Sequence, residues 1–445
     1  MQLPYSWLIL LLLVGVSTAQ ELRTSSVVGG AEVLNWLDSN SDQLRSTYIH
    51  LHTHPEVSFA EFETAEYVAA RWREAGYDVT EAVGGTGVVG MLRNGTGPCL
   101  LLRTDLDALP VTEATGLPYA SQATVKTDSG ATSGVMHACG HDIHMTNLIG
   151  VAQFLASHRE LWQGTLMLIG QPAEERGSGA IAMLNDRLFD RFGKPDFAMA
   201  LHCEGATPTG KVALSPGYSL ANVDSVDITI RGKGGHGSAP DTTVDPIVQA
   251  ADLVMSLQTL VSREIKPQEP AVVTVGAIHG GTKHNIIGDT CHLQLTVRSY
   301  SSIVREKLLA GIKRKALAVA QSYAAPDPLI KFSEGTPALS NDSPLTARVT
   351  DVFRQALGSE NVLPMEPVMG GEDFSQFGLA GVPIVMFRLG VIAPERLARF
   401  QTLGLSLPSL HSPAFFPDAD EALKTGIQAM VAATIDLMPP EEKKN

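Results

Sequence analysis

CLLLRTD, residues 99–105, runs through apolar side chains and then stops abruptly in Arg103, Thr104 and Asp105. TLMLIG at 165–170, FAMALH at 197–202 and PIVMFRL at 383–389 have the same character. Short apolar runs without alternation mark strands covered on both faces. The segments between them read as helical, and so does the stretch ahead of them: residues 31–76 are mainly helical, and Glu61 to Gly76 carries apolar positions at helical spacing before an Ala75-Gly76 stop. A hairpin is expected around Val79–Leu92. The predicted fold is therefore α/β, a mixed sheet with helices on both sides. Reactive residues gather where its strands end, at Asp105, at Gln171 to Glu175 and at His202, and open α/β sheets place their sites at that edge.

Residues 222–334 have another rhythm. Val226, Ile228 and Ile230 alternate with Asp227 and Thr229 as in a half-buried strand. A helix follows with Ile247, Ala251, Val254, Leu257 and Val261 on one face. Strands at 271–279 and 290–298, a helix bearing Leu308, Leu309, Ile312, Ala316 and Val319, and a short strand near 328–333 complete a βαββαβ order. That is a ferredoxin-like α+β plan, inserted because the sheet-forming segments resume after it. In the 290–298 strand, Cys291, Leu293, Leu295 and Val297 share the apolar face. His292, Gln294, Thr296 and Arg298 share the other.

The chain has 445 residues, 44% hydrophobic and 18% charged, the composition of a globular protein of two or three domains. A formal net charge of −14 argues against a nucleic-acid partner. Trp7 to Val16 is a short apolar run, followed by Ser17-Thr18-Ala19 with small residues at −3 and −1. This reads as a signal peptide over residues 1–19, with export to the periplasm or outside the cell. The run is too short for a comfortable membrane span, which needs roughly 20 apolar residues. Cys99, Cys139, Cys203 and Cys291 are not spaced as a disulfide framework, and Cys291 reads as a core thiol.

MHACGHD at 136–142 and QPAEE at 171–175 concentrate the reactive side chains. Cys139 and His141 flank Gly140, which permits an unusual backbone at a crowded site. A thiolate with an imidazole suits a borderline divalent ion; the alternative is a Cys139 nucleophile activated by histidine. Glu174 and Glu175 follow a strand. In extended chain, neighbours face opposite sides, so one can ligate a metal while the other takes a proton from an attacking water. The bland alternative is two solvated carboxylates. His202 closes an apolar strand and could be a core histidine. His411, in SLHSPAF, says little alone. The HLHTH run at 50–54 reads as packing and hydrogen bonding. GKGGHGSAP at 232–240 lacks the basic residue of a phosphate loop, and its His236 is either a surface histidine or a group able to reach over a cleft.

Together these segments resemble the amidohydrolase branch of the di-metal aminoacylase and carboxypeptidase superfamily, which includes hippurate hydrolases, N-acetyl-diaminopimelate deacetylases and auxin-conjugate hydrolases. The match spans about residues 42–435, through HLHTHPEVSF, RTDLDALP, MHACGHD, QPAEE, ALH, GGHGSAP, HNIIGD, GGEDFS and LHSP in order. The resemblance implies a zinc-peptidase-like catalytic domain and a lid or dimerisation role for the insert. It implies that Cys139, His141, Glu175, His202 and His411 hold two divalent ions (manganese, zinc, cobalt or nickel), with Cys139 a candidate bridge. Glu174 would be general base and acid, and His236 would polarise the scissile carbonyl in its own or a neighbouring subunit. Asn285 and Arg298 resemble a pair that grips a substrate carboxylate. Related peptidases carry histidine where this chain has Arg103, and many members carry a small residue where it has Ile143.

The expected organisation is a signal peptide over 1–19, catalytic domain over 31–216 and 335–440, and insert over 217–334. The expected function is an exported metal-dependent amidohydrolase of N-acyl amino acids, acting on a small substrate and able to form a homodimer through the insert. A metallo-carboxypeptidase or dipeptidase is the main alternative, and a non-catalytic binding protein on the same fold is the other. All of it requires Cys139 and His411 to meet. A separation beyond about 10 Å, several times a metal–ligand bond, excludes the proposal.

Overall fold

Leu100 and Leu102 join one hydrophobic cluster while Leu101 joins another, and the same alternation recurs at Leu166 and Leu168 against Met167 and Ile169. Both faces of these strands are buried, which is why their sequences read as continuous apolar runs. The computed structural model describes residues 29–127 and 130–441; the expected signal segment lies outside them. The large sheet has eight strands in the spatial order Asp78–Val83, Gly87–Asn94, Gly164–Gln171, Cys99–Asp105, Phe197–Pro208, Ile384–Ile392, Val212–Ala213 and Val362–Leu363. Its four central strands run parallel, while the Gly87–Asn94 strand pairs antiparallel at one side. The sheet is mixed, as expected.

Helices Gly30–Thr53, Phe62–Glu74, His141–Ser157, Ser343–Leu357 and Ala419–Leu437 contribute to the larger cluster with Tyr48, Trp72, Phe154 and Phe353. The short helices Gly179–Asn185, Leu188–Phe192 and Ser375–Leu379 cover the opposite face with Met183, Leu188 and Phe377. Full burial of one such side chain stabilises by roughly 1.5–3 kcal/mol. The His141–Ser157 helix is buried almost throughout, so its polar N-terminal residues are carried into the interior with it. Ile143 lies in that core, fully buried.

A second, four-stranded sheet is ordered Ala271–Gly280, Thr290–Ser299, Asn222–Arg231, Leu329–Thr336, antiparallel throughout. Helices Pro246–Thr259 and Ser302–Ser322 share its core with Cys291, Leu293, Leu295 and Val297. This is the ferredoxin-like arrangement. The two segments connecting it to the large sheet, Gly217–Leu220 and Leu339–Asn341, pair with each other as a short antiparallel ladder. Asn341 anchors that ladder by donating from Nδ2 to the carbonyls of Ser215 and Met386, 3.0 Å each. Both crossings thus lie side by side. Among the described residues no helix is long and apolar enough to cross a membrane, and all four cysteines are free.

Candidate metal centre

Three left-handed residues bracket the reactive groups. Gly140, at φ 81°, stands between Cys139 and His141 and starts the His141–Ser157 helix; a Cβ there would meet Cys203 Sγ at 2.8 Å. Ala173, at φ 48°, precedes Glu174, and His411 itself sits at φ 68°. Non-glycine residues in this region cost energy and persist where the surroundings over-determine them. Here the surroundings do so. Glu61 accepts from Ala173 N at 2.8 Å, Asp107 accepts from Glu175 N at 3.0 Å, and the His411 N–H donates to Ala138 O at 2.8 Å.

Glu174–Arg176 is a 3-10 turn rather than the extended segment expected from the sequence. Pro172 and the left-handed Ala173 end the strand first, so alternation across a pleat does not apply to Glu174 and Glu175. Both carboxylates lie near one imidazole. Glu174 Oε2 is 4.0 Å and Glu175 Oε1 3.9 Å from His141 Nε2.

Around them the remaining candidates converge. Cys139 Sγ is 3.3 Å from His411 Nε2 and 3.6 Å from His202 Nε2, and His411 Nε2 is 3.5 Å from Glu175 Oε1. His141 Nδ1 donates to the Asp107 carbonyl at 2.8 Å, and His202 Nδ1 to the Cys203 carbonyl at 2.8 Å. A carbonyl can only accept, so each ring keeps a proton on Nδ1 and turns Nε2 toward the cluster, where a metal ion can take the place of a second proton. Metal-ligating histidines are commonly held in this way.

His144 is different. Its Nδ1 contacts Asp105 Oδ1 at 2.7 Å, and its Nε2 accepts from Cys203 N at 2.9 Å. Both nitrogens are committed, so the buried cluster of Asp105, His141 and His144 positions ligands and does not cage an ion. Arg103 likewise orders the acids. It donates to Gln171, Asp105, Glu372 and Asp373 at 3.0, 2.8, 2.9 and 3.3 Å, all inside the protein. A guanidinium in place of an imidazole therefore anchors carboxylates and supplies no ligand.

The electrostatics suit a cation. Burial, then Glu175, Glu174 and Asp105, pushes the Cys139 thiol well above its usual range. Burial and the nearby Glu372, Glu175 and Asp373 push Glu174 up in the same way. Glu175 is pushed up to about 7, chiefly by burial. For His141, burial lowers the pKa, but Asp105, Asp107 and Glu175 outweigh it and hold the ring at about 10. A thiol raised so far is the opposite of an activated nucleophile, which disfavours the Cys139-nucleophile alternative. Buried His141 Nε2, Glu175 Oε1 and Asp107 Oδ1 have no hydrogen-bond partner. Unsatisfied buried donors and acceptors of this kind call for an ion, and sulfur, nitrogen and oxygen together match a borderline divalent metal. The residues fit two ions, with Cys139 common to a group with His141 and His202 and a group with Glu175 and His411.

The centre forms one wall of a cavity of about 570 Å³ that Cys139, Glu174, Glu175, His202, His411 and Arg298 all line. Arg298 reaches it from the small sheet, held by Thr296 Oγ1 at 3.2 Å and Met369 O at 2.7 Å. His236 and Asn285 do not line it. They lie on the exposed ribbon formed by Gly235–His236 and Ile286–Ile287, where His236 Nδ1 accepts from Ser238 Oγ at 2.8 Å. The His52 ring of the HLHTH run is buried between Asp142 at 2.7 Å and Glu113 at 3.2 Å, a hydrogen-bonding role as expected. Reading the sequence alone misses His144, Glu372, Asp373 and Arg388; RTD and GGEDFS carry charge after apolar runs, which is the available signal for the acids.

Buried mixed donors at the C-terminal edge of an α/β sheet define a metallohydrolase. The chain belongs to the peptidase family M20/M25/M40, which matches over residues 101–433, and it is a metal-dependent hydrolase of amide or peptide bonds. It is 36% identical over 345 residues to the N-acetyl-L-cysteine deacetylase of Bacillus subtilis (strain 168), covering 77% of this chain and 79% of that protein. It is 36% identical over 384 residues to thermostable carboxypeptidase 2 of Saccharolobus solfataricus, covering 85% and 91%. Among solved structures, the Bacillus subtilis YxeP protein, a dinuclear metal-binding peptidase of the same family, superposes with TM-score 0.73 at 28% identity, covering 90% of this chain and 99% of that one.

Proposed function

We propose that the chain hydrolyses the amide bond of N-acyl amino acids, with Cys139, His141, Glu175, His202 and His411 holding two divalent ions and Glu174 as the proton-transfer group. The observation that carries this reading is the pair of Cys139 contacts, 3.3 Å to His411 and 3.6 Å to His202, from three distant parts of the chain. Bound there, the ions would lower the pKa of the attacking water toward about 7 and act as a Lewis acid for the carbonyl. Glu174 accepts the proton of the attacking water at its carboxylate and returns it to the departing nitrogen. Its burial favours this, since a carboxylate whose pKa is raised by burial is a stronger base than an exposed one. Arg298, at the cavity wall, fits the carboxylate of the amino-acid half, with Asn285 as its expected companion. His236 stabilises the developing oxyanion once the ribbon reaches the cavity.

The carboxypeptidase relative keeps a second reading in view, cleavage of a short peptide bond beside a free carboxylate. A panel of N-acetyl and N-benzoyl amino acids and dipeptides, read by amine release, separates the two. Glu174→Gln is expected to keep its metal, measured by elemental analysis, while turnover falls roughly 10³-fold or more. Near-normal turnover on every cleaved substrate would remove Glu174 from its role. Failure to cleave any of the panel would favour the binding-protein alternative. Export through residues 1–19, and a homodimer through the inserted domain, complete the proposal; N-terminal sequencing and solution mass measurement check them.

A further inference from the structure

Arg388 sits in the middle of the apolar Ile384–Ile392 strand, 5% exposed, and lines the cavity. It stands in register with His202 on the neighbouring parallel strand, so the two side chains emerge on the same face of the sheet. Its Nε has no hydrogen-bond partner, and among the described residues no carboxylate lies within ion-pair distance of its guanidinium. Arg103, on the same face of that sheet, has three acids. Glu204 is next to Arg388 in the cavity wall, opposite Gly390 in register, but its Oε1 accepts from Ala206 N at 3.0 Å. A buried cation without a partner is costly, and proteins retain one only where something else completes it.

What completes it comes through the cavity. A guanidinium presents a planar fork of donors that matches a carboxylate in two parallel bonds. Arg298 faces the same space from the small sheet. Its Nε and Nη1 are engaged by Thr296 and Met369, leaving Nη2 without a partner among the described residues. Besides the exposed Arg176, the cavity therefore holds two guanidinium groups set into its wall, one from each domain. A ligand with a single carboxylate satisfies only one of them.

We propose that Arg388 is a specificity-determining residue that binds a second carboxylate of the substrate, so that the preferred substrates are dicarboxylic N-acyl amino acids. The second carboxylate belongs either to an acidic side chain of the amino-acid half or to a dicarboxylic acyl half. This rests on the N-acyl amino acid reading of the site, and the test keeps the two separable. In the hydrolysis arm, kcat/KM is measured for N-acetylglutamate against N-acetylglutamine, and for N-succinylalanine against its terminal amide. The wild type is expected to favour the acid of one pair at least roughly tenfold, the value of a charge-assisted hydrogen bond, and the pair that responds identifies the source. Arg388→Gln is expected to bring that ratio below about threefold, and Arg388→Lys, which keeps the charge and loses the fork, to an intermediate value.

In the binding arm, calorimetry compares glutarate with glutaramate on metal-loaded wild type and on both variants. Tighter binding of glutarate to the wild type, lost in Arg388→Gln, supports the proposal even if no N-acyl amino acid is cleaved; that combination overturns the functional reading alone. Equal treatment of acid and amide by the wild type in both arms overturns the proposal. So does a loss in Arg388→Gln that is the same for acid and amide, which assigns Arg388 a structural role. If Arg388→Gln does not fold, the wild-type and Arg388→Lys ratios decide: an unchanged ratio in Arg388→Lys overturns the fork.

Discussion

The metal basin and the His236 ribbon are two halves of one proposed active site, built to different standards. In the basin, Cys139, His141, Glu174 and His202 are each less than a tenth exposed, and carbonyls, carboxylates and three left-handed residues hold the donors in place. On the ribbon, His236 and Asn285 are exposed, and His236 leans on its own loop through Ser238. The difference teaches where cost and freedom lie. Ion binding demands donors fixed before the ion arrives, and a preorganised set repays its burial when the charge is neutralised. Contact with a substrate that must enter and leave demands a part that moves. The ladder of Gly217–Leu220 against Leu339–Asn341, which puts both connections side by side, is a place for such motion.

The largest effect expected from this contrast is metal removal. Dialysis against a strong chelator should abolish turnover, by roughly 10³-fold or more, and lower the thermal unfolding midpoint, because an ion that binds only the folded chain stabilises it by mass action. Both should return on adding manganese or zinc. The far-ultraviolet circular dichroism should change little, since core and ladders hold the basin without the ion. Full activity of metal-free protein would break the comparison at its root.

His236→Ala should come next, lowering kcat by about 10²-fold, the usual value of one oxyanion donor, with metal content unchanged. An equal-ratio mixture of His236→Ala and Glu174→Gln sharpens this. Recovered activity places His236 in a neighbouring subunit's site, and no recovery places it in its own. A kcat within about threefold of wild type for His236→Ala alone would remove the ribbon from the chemistry.

Much of this was legible because the relevant sequence signals are local. Runs such as CLLLRTD show two-sided burial without tertiary knowledge, and Gly140 between Cys139 and His141 has its left-handed backbone. The alternation of 290–298 separates Leu293 from Arg298 correctly. What is illegible is pairing at a distance and the shape of short turns. Nothing in GGEDFS says that Glu372 and Asp373 neutralise Arg103, 269 and 270 residues away. Glu174 and Glu175 follow a strand, and only the turn after Pro172 brings both to one imidazole. Arg388 is hidden by its neighbours, since one charge inside PIVMFRL reads as the end of an apolar run.

The smallest effect concerns how the basin is held. The helix that carries His141 and Asp142 is tied to the Gly30–Thr53 helix through His52, whose Nδ1 is 2.7 Å from Asp142 and whose Nε2 is 3.2 Å from Glu113. Burial alone would lower the His52 pKa, but those two acids outweigh it and raise it to about 9. Both ring nitrogens then donate, and the ring is a cation in the folded protein near neutrality. A folded pKa above the unfolded value of about 6.5 stabilises fully below that value, and the contribution is lost as pH rises through about 9. The difference of the two values corresponds to about 3 kcal/mol at most. His52→Gln should therefore be less stable than wild type at pH 6.5 in denaturant unfolding, and the gap should shrink as pH rises to 9.5. Because the tie ends on Asp142, beside a proposed ligand, the variant should also bind metal more weakly at pH 6.5. A gap that stays constant or widens over that range would show that His52 is held neutral, and the basin would then owe its rigidity to the carbonyl and carboxylate contacts alone.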